Sequence, residues 1–275
     1  MPESPTRTVV ISGATDGMGR ATALERLRRG DTVIAIGSNG AKGRSLVAEA
    51  GAGDRLRFIQ ADLSSLAEID RTIGEIKQHS GGVDALVLFA NRQSPKRRET
   101  PDGLEHTFAL YYLSRYLLTR ELTPLLDASS NPVIISVAGV GNKAGEIHWD
   151  DLQLTRRYST IRAQLQAGRA NDLLGVAVAK HCKARFVMYH PGFTRSGDTG
   201  MFNPVIRLAL TVLGKVAARS VASAVEPIHG FIDNPPEQPL TAIDRGKHVD
   251  PSLRTLDPAA ADRLATVTEE LLKGL

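Results

Sequence analysis

The apolar run Val9-Val10-Ile11-Ser12 passes without a break into Gly13, Gly17 and Gly19, and a helix-like segment, Ala21–Arg29, follows. A strand that empties into glycines at the head of a helix restricts the possible folds more than any other stretch of the chain. Backbone without Cβ turns tightly and lets another group come close, while the helix presents free N–H groups and the positive end of its dipole at the same place. A second apolar run, Thr32–Ile36, completes a βαβ unit. The stretch therefore predicts a nucleotide site on the first crossover of a parallel sheet.

The rest of the chain repeats that rhythm. Further apolar runs at Arg57–Ala61, Ala85–Ala90, Pro132–Val137 and Arg185–His190 read as buried strands. Helical patterns separate them at Ala41–Ala50, Leu66–His79, Leu104–Leu126 and Ala163–Lys183. Such alternation predicts a Rossmann-type α/β fold: one doubly wound parallel sheet with helices on both faces, in a single domain. Residues 1–193 read as the nucleotide-binding core. Residues 194–257, with an apolar helical stretch at Val205–Val216 and the prolines Pro235 and Pro236, read as the substrate-pocket region. Residues 258–275 read as a C-terminal surface helix, capped by Asp257 ahead of Pro258. Gly139–Arg157 is a long polar connection after the fifth strand.

Composition narrows the partners. At 275 residues with 42% hydrophobic content, the chain can bury a large core, and its 5% aromatic content argues against stacking on nucleic-acid bases. Lys and Arg exceed Asp and Glu by only 34 to 30, and the basic residues are scattered in pairs such as Arg28-Arg29, Arg97-Arg98 and Arg156-Arg157. These read as solvated surface, not as a nucleic-acid patch. Cys182 is the only cysteine, so no internal disulfide forms and no Cys/His ligand spacing suggests a metal. Met1–Arg7 is polar, without a signal-peptide core, and no run reaches the ~20 apolar residues of a membrane span. The expectation is a cytoplasmic protein without a membrane partner.

On these residues the chain resembles the short-chain dehydrogenase/reductase family. Ser12-Gly13-Ala14-Thr15-Asp16-Gly17-Met18-Gly19 is similar to that family's T-G-x-x-x-G-x-G loop. Asp62-Leu63 resembles its acidic adenine contact, and Ala90 lies within the counterpart of its N-A-G stretch, here Phe89-Ala90-Asn91. Pro191-Gly192-Phe193-Thr194 resembles its P-G motif, whose Thr contacts the nicotinamide amide. Asp102-Gly103-Leu104-Glu105 and Asp150-Asp151-Leu152 are similar to features of retinol-dehydrogenase-like members. Cofactor choice is read at the end of the second strand, where Gly37-Ser38-Asn39 offers no acid for a ribose 2′-hydroxyl, and Lys42 and Arg44 follow. NADP(H) is therefore expected in preference to NAD(H).

The resemblance breaks where the chemistry should be. In that family a Tyr hydroxyl exchanges the proton, a Lys four residues later lowers its pKa, a Ser orients the substrate and an Asn holds a relay water. Ser136 matches the Ser, but the Tyr position falls on Gln164, the Lys position on Gly168 and the Asn position on Tyr111. An amide is no acid near neutral pH. Tyr111, from the neighbouring helix, and Tyr158, followed by Arg162 at Y-x-x-x-K spacing, are the candidate replacements, each set against a plain packing role. His148 and His190 read first as positional residues, and Asp150-Asp151 as a loop anchor. Three readings follow. One is an oxidoreductase with a non-standard site, acting on a small carbonyl, enone or alcohol. Another is a non-redox cyclase, isomerase or eliminating enzyme, and the third is a nucleotide-sensing pseudoenzyme. The apolar surplus on 104–126 and 163–183 predicts a homodimer through those helices, as the resemblance also implies.

Overall fold

The apolar runs become strands, all but the third buried on both sides, and the first six strands begin and end within two residues of the expected limits. The computed structural model describes residues 6–192 and 220–275. Thr194 and the stretch Val205–Val216 lie outside the described residues. In order come β1 (Thr8–Ser12), α1 (Gly17–Arg28), β2 (Thr32–Gly37), α2 (Gly40–Ala50), β3 (Leu56–Gln60), α3 (Leu66–His79) and β4 (Ala85–Leu88). There follow α4 (Ser114–Asp127), β5 (Val133–Val137), α5 (Thr160–Ala179), β6 (Arg185–His190), α6 (Val221–Asp233), β7 (Leu240–Asp244), β8 (Lys247–His248) and α7 (Pro258–Lys273).

The strands form one sheet in the order β3-β2-β1-β4-β5-β6-β7-β8. All pairings are parallel except the last, where β7 and β8 form a hairpin whose central residues, Arg245 and Gly246, both have positive φ. The order reverses between β1 and β4, the place where open α/β sheets form a crevice at their carboxyl ends. Side chains alternate between two cores. Val10, Ile34, Leu86, Ile134, Phe186, Met188 and Ala242 meet α3, α4 and α5 on one face. Val9, Ile11, Val33, Val87, Ile135, Val187 and Tyr189 meet α1 and α6 on the other. This is the expected doubly wound α/β architecture in a single domain.

Several local devices were not expected. α1 starts at Gly17, ahead of the anticipated Ala21, because Asp16 caps it with its carboxylate on the Gly17 N–H at 2.8 Å. The segment Leu104–Leu126 is not one uniform helix: Phe108–Leu113 forms a π turn that leads into α4. Glu105, fully buried, accepts the Thr107 and Phe108 N–H groups at 2.8 and 2.7 Å and so starts that turn. Asn171 from α5 donates to the Tyr111 carbonyl at 2.8 Å. Asp102 does not start its own helix but accepts the Leu66 N–H at 3.0 Å, at the start of α3.

The C-terminal helix is exposed on one face and buried on the other. Asp257 caps α7 on the Ala260 N–H at 2.7 Å, as anticipated. Its buried face packs into the seam of α4 and α5, where Ala261 and Leu264 join their core. Tyr112 hydroxyl bonds Thr268 Oγ1 at 2.8 Å, and Lys180 Nζ bonds Asp262 at 2.5 Å. Part of the apolar surplus on 104–126 and 163–183 is thus met inside the chain by α7. No helix of the described residues is long and apolar enough to cross a membrane.

Candidate active site

The glycine loop between β1 and α1 is shaped by contacts that leave no space for side chains. Gly13 has φ +72°, and a Cβ there would stand 3.0 Å from the Ala90 nitrogen at the end of β4. A Cβ on Gly19 would overlap the Gly13 carbonyl oxygen. The loop therefore folds back on the first turn of α1, and its backbone faces the crevice beside β4. Thr15 is buried with its side chain against Gly37, where an added Cβ would lie 2.6 Å from Thr15 Cγ2. Met18 packs against the α1-side core.

Around the end of β2 the electrostatics are mixed. Ser38 and Asn39 are exposed, and Asn39 Oδ1 caps α2 by accepting the Lys42 N–H at 3.0 Å. Lys42 Nζ forms an ion pair with Asp16. That hydrogen bond holds the Asp16 carboxyl below its ordinary pKa, against a smaller upward push from burial. Arg44 is exposed one turn along α2. Asp62 is exposed after β3, and its Oδ1 accepts from the Ser64 N–H at 3.0 Å and the Ser64 hydroxyl at 2.8 Å, while Leu63 is buried. At the end of β6, Pro191 is buried and Gly192 has φ +88°, its Cα facing the Arg245 side chain.

Ser136, fully buried near the end of β5, accepts a hydrogen bond from Arg115 Nη1 at 2.7 Å. Arg115 is itself fully buried on α4 and donates through Nη2 to the Val137 carbonyl at 3.1 Å and the Ala90 carbonyl at 3.3 Å. Its guanidinium lies over the Tyr111 ring, 4.7 Å from the centroid. Among the described residues no carboxylate pairs with it. Burial pulls its pKa down to about 10, so it remains a cation at neutral pH. Burial raises the Tyr111 phenol, against the pull of Arg115 and the Gly139 N–H. Arg115 is the residue that sequence reasoning missed, since a lone arginine in a helix reads as a solvated face.

Gln164 and Asn91 are joined across the opening between α5 and the chain after β4. Tyr158 lies elsewhere: its hydroxyl donates to the Ser94 carbonyl at 2.9 Å, next to Thr160 Oγ1 on the same acceptor at 2.8 Å. That double contact anchors the loop and commits the Tyr158 proton to a backbone oxygen. Asp151 accepts from the Thr155 and Arg156 N–H groups at 2.8 and 2.9 Å and so anchors its loop. His148 stacks its polar edge on Arg162, 3.1 Å from Nη2. Among the described residues no cluster of His, Cys, Asp and Glu is arranged to hold a metal. The structure thus brings Ser136, Tyr111 and Ala90 together around Arg115, joins Gln164 on α5 to Asn91 next to Ala90, and leaves Tyr158 in the loop.

Comparison with known proteins bears on this arrangement. The profile of the family described as short chain dehydrogenase matches residues 7–150, just over half of the chain. Human polyprenol dehydrogenase is 31% identical over 60% of this chain and 52% of its own length. Human retinol dehydrogenase 13 is 31% identical over 70% of this chain and 60% of its own. The chain therefore spans about half to three-fifths of the length of these curated relatives. A crystal structure of an uncharacterised protein from Mycobacterium paratuberculosis superposes with a TM-score of 0.72 at 25% identity, covering 98% of this chain and 95% of that one. The glycine-loop strand, the doubly wound sheet and these matches agree: the chain belongs to the short-chain dehydrogenase/reductase family.

Proposed function

We propose that the protein is an NADP(H)-dependent oxidoreductase of a small organic carbonyl, enone or alcohol, working without the family's tyrosine and lysine, whose places are taken by Gln164 and Gly168. The observation that carries the reading is the glycine cradle, in which Gly13 and Gly19 leave no space for a Cβ while the N-terminus of α1 faces the crevice. Gly13, Thr15, Asp16, Gly17, Met18 and Gly19 would hold the pyrophosphate. Asp62 and Leu63 would hold the adenine, and Ser38 and Asn39 the ribose. Ala90, Pro191, Gly192 and Thr194 would flank the nicotinamide. The absence of an acid at the end of β2, with Lys42 and Arg44 following, supports the phosphorylated cofactor.

The bound nicotinamide supplies or takes the hydride. Ser136 positions the substrate oxygen: its own oxygen is occupied by the Arg115 N–H, so its proton is the part left to donate. The cation beside it favours negative charge developing on the substrate. Tyr111 keeps its proton and walls the same cluster.

A second reading is favoured by the Asn91–Gln164 pair, two amides that can orient a polar substrate but exchange no proton. It describes a non-redox enzyme on the same fold. One experiment separates the two. The protein is titrated with NADPH and with NADH by cofactor fluorescence, then mixed with a panel of carbonyls and enones while loss of reduced-cofactor absorbance is followed. The oxidoreductase reading expects tighter NADPH binding and oxidation by some compound. Binding without oxidation leaves the non-redox reading, and no binding overturns both the cradle assignment and the cofactor.

A further inference from the structure

A second polar constellation closes the carboxyl ends of β6 and β7. His190 and Asp244 are the last residues of those strands and register partners, and the His190 Nδ1 lies 2.6 Å from Asp244 Oδ1. Arg245 holds the other carboxylate oxygen, with Nη2 at 3.0 Å. Those two hydrogen bonds keep the Asp244 carboxyl below its ordinary pKa despite partial burial, which pushes upward. An ionised carboxylate only accepts, so Nδ1 carries the ring proton in the pair and Nε2 points away from it. Among the described residues Nε2 has no hydrogen-bond partner.

Position makes the pair relevant to chemistry. Met188 is the register partner of Ser136, and both face the α4–α5 side of the sheet. His190, two residues on, faces the same side, roughly 8 Å from Ser136 by the spacing of neighbouring strands. A cleft of about 600 Å³ opens beside the pair, lined by Asp244, Val140, Gly141, Val249 and Leu253. The His190 side chain is 35% exposed, so solvent can exchange its proton.

We propose that His190, oriented by Asp244, is the acid and base of this site in place of the absent tyrosine; the assignment rests on the oxidoreductase reading above. As a carbonyl carbon accepts hydride, its π pair moves to oxygen and the imidazolium form of His190 gives its Nε2 proton to that oxygen, leaving the neutral ring protonated at Nδ1. The carbonyl is reduced to an alcohol, the nicotinamide is oxidised, and solvent returns the proton to the imidazole. Alcohol oxidation runs the same steps backwards. Asp244 fixes the ring through Nδ1, as an orienting carboxylate does for other catalytic histidines. Among the described residues the titratable and charged groups near the pair are Asp244 and Arg245 on the hairpin, Lys247, His248 and Asp250 across the cleft, and Asp172 behind Gly141.

The test uses His190→Ala and Asp244→Asn in the full chain, with NADPH and whichever panel compound the native protein reduces. His190→Ala is expected to bind NADPH within about twofold of native yet lose ~10²–10⁴-fold in turnover, with partial recovery on adding imidazole to the buffer. Asp244→Asn is expected to lose less and to shift the pH profile. Turnover within about threefold of native in His190→Ala, or a loss that imidazole does not relieve, overturns the proposal. If cofactor binds but no compound is reduced, the oxidoreductase reading falls. His190 is then judged by diethyl pyrocarbonate labelling read by mass spectrometry, with the exposed His79 and His181 as internal controls. Selective protection of His190 by NADPH supports its place beside the cofactor, and equal labelling with and without NADPH overturns it.

Discussion

The carboxamides of Asn91 and Gln164 face each other and exchange two hydrogen bonds, Asn91 Nδ2 to Gln164 Oε1 at 3.0 Å and Gln164 Nε2 to Asn91 Oδ1 at 3.2 Å. The pair joins the end of β4 to the first turns of α5 at the position where the resembling family carries its acid. One turn further along α5, Gly168 has open space where a Cβ would stand. A double substitution, Gln164→Tyr with Gly168→Lys, therefore needs no repacking at the lysine and loses one exposed amide pair. We expect carbonyl reduction with NADPH to rise by ~10²-fold or more, the usual contribution of a placed general acid. Initial rates across the carbonyl panel check this, and no gain despite intact NADPH binding would count against an oxidoreductase geometry.

Arg115 ties the ends of β4 and β5 to α4 through Ser136, Val137 and Ala90. Arg115→Met keeps much of the volume but strips three buried oxygen acceptors of their donor. Each orphaned acceptor costs about 1–3 kcal/mol, so a loss of ~3–9 kcal/mol is expected. Ser136→Ala removes only one acceptor and should cost about 1 kcal/mol while abolishing the donor to substrate. Urea midpoints for the two variants check the order. Equal stabilities would mean that the guanidinium is not the clamp its contacts describe.

Asp172 on α5 is buried and accepts the Gly141 N–H at 3.1 Å, with Arg169 nearby. Burial raises its pKa to about 7, the Gly141 hydrogen bond and Arg169 opposing it only in part. The folded state thus holds a proton that the unfolded chain releases near pH 4. Its stability is greatest below that unfolded value, falls as pH rises from about 4 to about 7, and is level above it. The total fall from this group is at most about 4 kcal/mol, on the order of 1.4 kcal/mol per pH unit. Asp172→Asn can still accept from Gly141 but has no proton to lose. The gap between variant and native urea midpoints should widen from pH 4 to pH 7, and a constant gap would refute the assignment.

Strands β1, β2, β4, β5 and β6 were legible because burial on both faces leaves apolar runs, as in Val9-Val10-Ile11, and β3, with Arg57 and Gln60 exposed, by its place in the alternation. β7 was not, since Leu240-Thr241-Ala242-Ile243-Asp244 mixes polar residues and follows a proline-rich stretch. The glycine cradle was legible from spacing, but its reason, the overlap between Gly19 and the Gly13 carbonyl, exists only in three dimensions. The π turn at Phe108–Leu113 has no periodic signature, and Asn171, which bonds into it, lies 60 residues away. His190 and Asp244 are 54 residues apart and meet only because β6 and β7 are neighbours. Arg115 reads as surface until the fold buries it.

The C-terminal helix gives the last prediction. Leu264 and Ala261 are buried against the α4–α5 seam, and Tyr112, Tyr116, Leu173 and Leu174 border the same small cavity. α7 covers that seam with contacts from its own chain. Tyr112 hydroxyl on Thr268 and Lys180 on Asp262 fix the helix in register. The full chain is therefore expected to run as a monomer through this face, with a mass in light scattering that does not change with concentration. Removing residues 258–275 uncovers the apolar seam and should produce dimers or aggregates, as large exposed apolar patches do. Leu264→Ala leaves the helix in place but opens a cavity, at a cost of about 2–5 kcal/mol, without changing the oligomeric state. A mass that doubles as the concentration of the native chain rises would overturn the expectation.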